Sequence, residues 1–395
     1  MTGGSTTGAG TASTGTPGTG TASTGPRVVE VLQVPAPGTV AWVPTEAGPL
    51  ADGAVRVDSV VSGISAGTEL TFLKGTNPAL TRTWDTDLGL FREGAGPDAS
   101  PYPVRRLGYM QVGRVVASRT GHVDVGALVA ATYGQASGAD LHPLSERVVV
   151  LPPGLDPVLG IWVAHMGPIC VNGLLHASAD LFGPAAVDVA SGVRGRTVLV
   201  VGAGVVGLLT GLLAAWSGAA DVVVADPTPS RLAAARRLGL GTVDPGAEDV
   251  GVWVKQRWRH AAGDRGADVV FQCRGQAAGL ATALRALRPQ GTVVDLAFYP
   301  GGAGEVRLGE EFHHNGLRLV CAQIGRVPRG SAHLWDRERM SAVTLDLLRD
   351  RGADLRAALV TDLVPAAEAP TFYADLAAGR RQALQAVVTW PDPAG

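Results

Sequence analysis

From residue 27 onward the chain is written in short apolar segments of the kind that form strands, at residues 28–34, 55–64, 113–116, 127–132 and 147–151. Proline and glycine separate them, as in Pro35-Ala36-Pro37-Gly38 and Pro152-Pro153-Gly154, which is how a small, β-rich, barrel-like domain reads. Residues 72–107 show little periodicity and many turn formers, and read as a long loop that is a candidate lid. Residues 157–179 read as a helix. A second rhythm starts at Thr197. An apolar strand (197–201), an Ala/Leu-rich helix (205–217) and a second strand (221–225) are followed by a helix at 231–238. A strand at 268–272, a helix at 277–287 and a strand at 292–297 continue it. Strands and helices in alternation fold as a parallel sheet covered by helices on both faces. After Gly325 a helix (337–350) and two strand-like runs (357–363 and 385–390) close the chain. The expected class is α/β, a β-rich part joined to a doubly wound parallel sheet.

Composition narrows the function more than the fold. A length of 395 residues favours two domains, and 46% hydrophobic with 17% charged residues is ordinary globular composition. Thirty-three basic against 35 acidic residues leave a formal charge of −2, which argues against a partner that is nucleic acid or a membrane surface. Only Lys74 and Lys255 are lysines, and the arginines form no single cluster. Cys170, Cys273 and Cys321 are odd in number and far apart, so they make neither a disulfide framework nor a four-cysteine zinc site. No apolar run is long enough to span a membrane. Residues 2–26 are almost wholly Gly, Thr, Ser, Ala and Pro, which predicts a disordered tail; they lack the basic start and apolar stretch of a signal peptide. The expected compartment is the cytoplasm.

The most specific signal is Gly202-Ala203-Gly204-Val205-Val206-Gly207, which ends an apolar strand and opens a helix. Gly202 permits the tight turn, Gly204 lets the backbone approach a pyrophosphate, and Gly207 allows close helix–strand packing. The helix start supplies free N–H groups and a positive dipole end. Asp226 ends the next strand, where a carboxylate binds a ribose 2′-hydroxyl. That carboxylate repels a 2′-phosphate, so NAD(H) is expected over NADP(H), although Arg231 is placed to attract such a phosphate.

A β-rich unit, a dinucleotide-binding unit and a C-terminal return together resemble the medium-chain dehydrogenase/reductase superfamily, over residues 28–390. The blocks that carry the likeness are Ser62-Gly-Ile-Ser-Ala-Gly-Thr-Glu69, Leu107-Gly-Tyr-Met-Gln-Val-Gly-Arg-Val-Val116, Gly202–Gly207, Gly263-Asp-Arg-Gly-Ala-Asp-Val-Val-Phe271 and Gly291-Thr-Val-Val294. The first block and Leu308-Gly-Glu-Glu-Phe-His-His-Asn315 look like the bacteriochlorophyllide a dehydrogenase-like branch, a functionally broad one. The resemblance implies a GroES-like catalytic domain at 27–180, after the disordered tail at 1–26 that composition predicts. It implies a Rossmann domain at 181–325, a return to the catalytic domain at 326–395, and a homodimer or homotetramer.

The departures from the family are equally informative. Where its zinc enzymes carry a cysteine before a Gly-Thr-Asp-like segment and later a Gly-His-Glu, this chain has Ala66-Gly67-Thr68-Glu69 and Gly108-Tyr109-Met110. Cys170 lies near the third ligand position, but one thiolate does not hold the metal, and the cysteine run of the structural zinc lobe is absent. No zinc is therefore expected. Tyr109 becomes a candidate hydrogen-bond donor to a carbonyl oxygen, or else a filler of the vacated metal space. Thr68 matches the family's hydroxyl relay position, and Glu69 is read as orienting its neighbours.

In the family the segment containing His313 and His314 runs close to the nicotinamide, which makes His314 a candidate acid–base group. Asn172 falls near the position that contacts the nicotinamide, His165 reads as an interior histidine, and Cys273 as a small buried residue. The expected activity is zinc-independent, NAD(H)-dependent interconversion of an alcohol and a carbonyl on a medium-sized organic small molecule, secondary metabolites included. Enoyl-type double-bond reduction with Tyr109 as proton donor, and a catalytically idle nucleotide-binding subunit, are the alternatives.

Overall fold

The computed structural model describes residues 23–93, 102–185 and 188–391; the tail expected at 1–26 lies outside them as far as residue 22. The chain opens with an antiparallel hairpin, β1 (Arg27–Ala36) and β2 (Thr39–Ala47), then β3 (Val55–Gly63) and a short helix α1 (Ala66–Leu73). A second hairpin, β4 (Arg82–Asp85) and β5 (Leu90–Glu93), precedes β6 (Gln111–Ser118), β7 (Leu128–Ala131), β8 (Gly138–Leu141) and β9 (Val148–Val150). Helices α2 (Pro157–Gly160) and α3 (Met166–Phe182) lead into the second half of the chain.

There the order is β10 (Thr197–Val201), α4 (Val205–Trp216), β11 (Asp221–Ala225), α5 (Pro229–Arg237) and β12 (Gly241–Val243). It continues with α6 (Val250–Arg257), a two-strand ribbon β13 (Arg259–Ala261) and β14 (Asp264–Arg265), then β15 (Ala267–Gln272), α7 (Ala277–Ala286) and β16 (Leu287–Asp295). Next come a helical turn α8 (Glu311–His314), β17 (Arg318–Cys321) and the long α9 (Arg337–Leu359). The chain ends with β18 (Val360–Pro365), α10 (Ala369–Ala377) and β19 (Gln385–Thr389).

Two sheets carry this arrangement, and the α/β class is as expected. Strands β12-β11-β10-β15-β16-β17 form an all-parallel sheet. Alternate residues of β10 serve its two faces. Val198 and Val200 join Leu208, Leu209 and Leu212 of α4 and Leu174 of α3, while Leu199 and Val201 join Val254 of α6 and Leu280 and Leu284 of α7. The strand order reverses between β10 and β15, so a crevice forms beyond their carboxyl ends, where such sheets bind ligands. The other sheet runs β18-β19-β3-β6-β7-β9, with β8 also on β3. Its β18 and β19 come from the chain's last residues, and β19 pairs antiparallel with β3. Among the described residues no helix is long and apolar enough to cross a membrane.

The structure departs from the expected elements in two places that bear on the site. The segment 157–179 is not one helix: α2 ends at Gly160, residues 161–165 form turns, and α3 starts afresh at Met166 after His165, whose φ of −144° is non-helical. Pro168 explains the break, because it lacks the N–H that a continuous helix needs there but is harmless in the first turn of a new one. The segment 72–107 is not a featureless loop. It holds the β4–β5 hairpin, where Trp84 packs edge-on against Phe91 at 4.9 Å and Asp85 Oδ1 accepts from the turn amides of Asp87 and Leu88. Residues 94–101 of the expected lid lie outside the described residues.

The β-rich sheet is pinned to the start of the chain by one buried cation. Arg56, 2% exposed, makes a two-point pair with Asp140 (2.9 and 2.8 Å) and donates to the carbonyls of Ser23, Gly25 and Gly48. Removing its carboxylate leaves a buried charge unpaired. Asp140→Ala is expected to lower the unfolding free energy by about 3 kcal/mol in urea denaturation. Asp58→Ala, at the more exposed partner of Arg27, is expected to cost about 1 kcal/mol or less.

Candidate functional site

The glycine loop lies at the mouth of the crevice. Gly202 has φ +102°, a conformation that suits glycine, and its N–H donates to Ala225 O at 2.8 Å, closing the loop against the end of β11. A side chain on Gly207 would place its Cβ 1.8 Å from Gly202 O, so helix α4 can begin this close to β10 only with glycine there. A Cβ on Gly204 would meet nothing within 4 Å, which leaves that side of the loop open for a pyrophosphate. The loop N–H of Ala203 donates to Asp226 Oδ2 at 2.8 Å, and Thr228 N–H donates to Oδ1 at 2.8 Å. Asp226 is only 3% exposed, and Arg231 Nη1 lies 3.9 Å from it. Each oxygen of Asp226 has one backbone donor and retains lone-pair capacity for a ribose hydroxyl. Val205 and Val206 supply first-turn amides of α4. These residues fit a nicotinamide dinucleotide.

Tyr109 lies over the start of α1. Ser65 is the N-cap residue of that helix, but its hydroxyl does not cap it; Ser65 Oγ instead lies 2.6 Å from Tyr109 Oη. Thr68 follows in the first turn of α1, and its hydroxyl, like that of Ser65, pulls the pKa of the phenol down. On its other side the Tyr109 ring packs on His165, with centroids 4.4 Å apart. Burial raises the Tyr109 pKa, outweighing the opposite pull of Ser65 and Thr68, so the phenol keeps its proton at neutral pH.

The donors around Tyr109 do not fit zinc. Met110 is fully buried in the core, and a Cβ on Gly63 would lie 3.0 Å from its Cε. Cys170 Sγ faces the carbonyls of Met166 and Val206 at 3.4 and 3.5 Å, and burial pushes its thiol up to about 12, far from a thiolate ligand. His165 Nδ1 is taken by Arg337. Among the described residues no group of three His, Cys, Asp or Glu side chains is arranged to hold a metal ion.

Two candidate residues stand apart from this cluster. His314 is on the turn α8, whose Phe312 packs with α6 and α7 on the sheet face opposite α3 and α4; its ring bonds Glu310 O. This helical turn places His314 with that face, whereas Tyr109 packs against the core on the α3 and α4 side. Asn172 is fully buried, and its Nδ2 donates to the carbonyls of Ala322, Gln323 and Arg326, pinning α3 to the segment after β17. Its Oδ1 is buried without a donor among the described residues.

Beneath Ser65 is a buried carboxylate whose partners the sequence alone did not reveal. Glu69 Oε1 accepts from Ser65 N–H at 2.6 Å, and Oε2 accepts from the Tyr373 hydroxyl of α10. The only local signal is a Ser followed four residues on by a Glu at a helix start, a variant of the capping box. Burial lifts the Glu69 pKa to about 7 despite these bonds. Between its ordinary value of 4.5 and about 7 the folded protein thus holds a proton that the unfolded chain releases, so stability falls as pH rises through that window. Glu69→Gln removes this dependence. From about pH 5 to about pH 8 the variant's unfolding free energy is expected to gain on the parent's by about 3 kcal/mol. A constant difference would show that Glu69 does not titrate there.

Comparison with known proteins extends beyond the site. A family model described as zinc-binding dehydrogenase matches residues 205–332. D-guloside 3-dehydrogenase of Escherichia coli K12 is 28% identical over 349 residues, spanning 86% of this chain and 93% of that protein. L-threonine 3-dehydrogenase of Pyrococcus abyssi is 37% identical over 154 residues, 38% of this chain and 41% of that one. L-idonate 5-dehydrogenase from Escherichia coli has the same fold, with TM-score 0.68 at 17% identity over 92% of this chain and 99% of that one. A zinc-binding dehydrogenase from Sinorhizobium meliloti, solved with NADP, gives TM-score 0.66 at 22% identity, covering 92% of this chain and 100% of that one. Over nearly its whole length, in sequence and in fold, this chain is thus similar to proteins named dehydrogenases, and that likeness makes it an oxidoreductase.

Proposed function

We propose that this oxidoreductase interconverts an alcohol and a carbonyl without zinc, using NAD(H), with the Tyr109 phenol taking the place of the metal at the substrate oxygen. The observation that carries this reading is the Tyr109 phenol, 2.6 Å from the Ser65 hydroxyl and over the helix start that holds Thr68, where the resemblance places a zinc ligand and the relay hydroxyl. The bound nicotinamide supplies or accepts the hydride. Everything else falls to this chain's own side chains. In the reducing direction Tyr109 Oη donates a hydrogen bond to the carbonyl oxygen, stabilises the charge that grows there, and passes its proton to it. Ser65, in contact with that oxygen atom of Tyr109, returns a proton to it, and the partly exposed Thr68 in the next turn of the chain is the way to solvent. Oxidation runs the same path in reverse. Glu69 takes no proton from the substrate; it holds the backbone of Ser65 and thereby the hydroxyl that meets Tyr109.

The preference for NAD(H) rests on Asp226, whose carboxylate reaches both the glycine loop and the ribose position. Arg231 pairs with that carboxylate, which draws its charge away from a 2′-phosphate. Because one relative spanning most of the chain is a D-guloside 3-dehydrogenase, secondary hydroxyls of sugars and polyols head the substrate classes that suit this reading.

The test combines binding and turnover. Fluorescence titration is expected to give a tighter Kd for NADH than for NADPH on protein free of stoichiometric zinc; tighter NADPH or tightly held zinc overturns the cofactor or metal reading. Tyr109→Phe is expected to lower kcat/KM by about two orders of magnitude or more while leaving the NADH Kd within about twofold. Full turnover by that variant would remove Tyr109 from the chemistry.

A further inference from the structure

Arg337, the first residue of α9, lies beside the Tyr109 cluster without a carboxylate partner. Among the described residues its guanidinium makes one side-chain hydrogen bond, from Nη2 to Nδ1 of His165, and its Nε is buried with no acceptor. The carboxylates nearest in sequence are committed elsewhere: Asp336 caps α9 by accepting from Arg339 N–H, and Glu338 pairs with Arg147. Arg147 is by contrast saturated, since besides Glu338 it donates to Arg337 O at 2.8 Å, to Ser341 Oγ and to Ala164 O.

A partly buried arginine with a neutral imidazole as its sole partner is unusual, because taking a guanidinium from water without an opposing charge is costly. His165 contributes no such charge. Burial and the two arginines hold its pKa down at about 4, and accepting at Nδ1 leaves its proton on Nε2. The same His165 ring packs on Tyr109, so a single imidazole separates the phenol from the guanidinium. Tyr109, His165 and Arg337 are each partly exposed, and Arg337 Nη1 is left without a protein partner among the described residues. The planar fork of arginine is suited to an oxyanion, which it binds through paired, charge-assisted hydrogen bonds.

We propose that Arg337 anchors an oxyanion group of the substrate, a carboxylate or a phosphate ester, while the reacting oxygen lies at Tyr109. The substrate class is then an anionic alcohol and its carbonyl counterpart, such as a sugar acid or a sugar phosphate. This rests on the reading of Tyr109 as the group that meets the substrate oxygen, and it adds the charge of the molecule that oxygen belongs to. His165 acts as the positioning residue that fixes the guanidinium.

The test uses the full chain with and without saturating NADH, and titrates malonate, inorganic phosphate and the neutral malonamide by calorimetry. Malonate or phosphate is expected to bind and malonamide not. Tighter malonate assigns a carboxylate, and tighter phosphate assigns a phosphate ester. Arg337→Gln is expected to weaken the bound anion about tenfold without changing the NADH Kd, and Arg337→Lys to fall between the two. Equal anion binding by parent and glutamine variant, or no discrimination between malonate and malonamide, overturns the proposal. Should the glutamine variant fail to fold, the parent's choice of malonate over malonamide and the lysine variant decide it. Failure of NADH itself to bind falls on the nucleotide reading, while anion binding to the nucleotide-free protein still tests Arg337.

Discussion

Helix α4 starts almost on top of the end of β10, and the absence of a side chain at Gly207 is what lets it. With only 1.8 Å between the position of a Cβ and the carbonyl of Gly202, any larger residue would push the helix away from the strand. Its first-turn amides would then leave the crevice, and Ala203 N–H would lose Asp226. The position of the loop therefore decides together how the strand-end carboxylate is held, how α4 meets α3 and, on the reading proposed above, where a pyrophosphate sits. Through α3 it also reaches the surroundings of Tyr109, because Cys170 of α3 touches the first turn of α4 and His165 at the head of α3 meets Tyr109 and Arg337.

The surroundings of Tyr109 combine core packing with a hydrogen bond. Met110 is packed into the core on one side, and the Tyr109 hydroxyl meets Ser65 on the other. On the reading proposed above, a neutral phenol polarises a substrate oxygen less strongly than a divalent cation would, so its orientation matters more. That orientation is held from both sides, by Ser65 at the oxygen and by the His165 ring at the face.

Much of the fold was legible in the sequence for a simple reason. Central parallel strands are buried on both faces and read as unbroken apolar runs, so 197–201 and 221–225 were located to the residue. Elements with little burial left no such trace. The β4–β5 hairpin is exposed along almost its whole length, and the edge strand β17 is largely exposed as well; neither was anticipated. The site divides in the same way. The glycine loop and Asp226 are joined by a contact across 23 positions within one strand–helix–strand unit, and spacing alone could place them. The bonds of Tyr109 to Ser65, of His165 to Arg337 and of Glu69 to Tyr373 cross 44, 172 and 304 positions. No periodicity or motif encodes such meetings; they follow only from the tertiary fold.

The pairing of β19 with β3 has a consequence for how the protein folds. Thr389 lies opposite Val61, and Tyr373 meets Glu69 across 304 positions, so the β-rich sheet and the ground beneath Ser65 are completed only by contacts between very distant residues. The parallel sheet is made of nearer neighbours in sequence, and closing the shorter loops between them costs less entropy. The two halves therefore differ in the order of contacts they require: local pairings set the glycine loop, whereas the surroundings of Tyr109 wait on the longest loop closures in the fold.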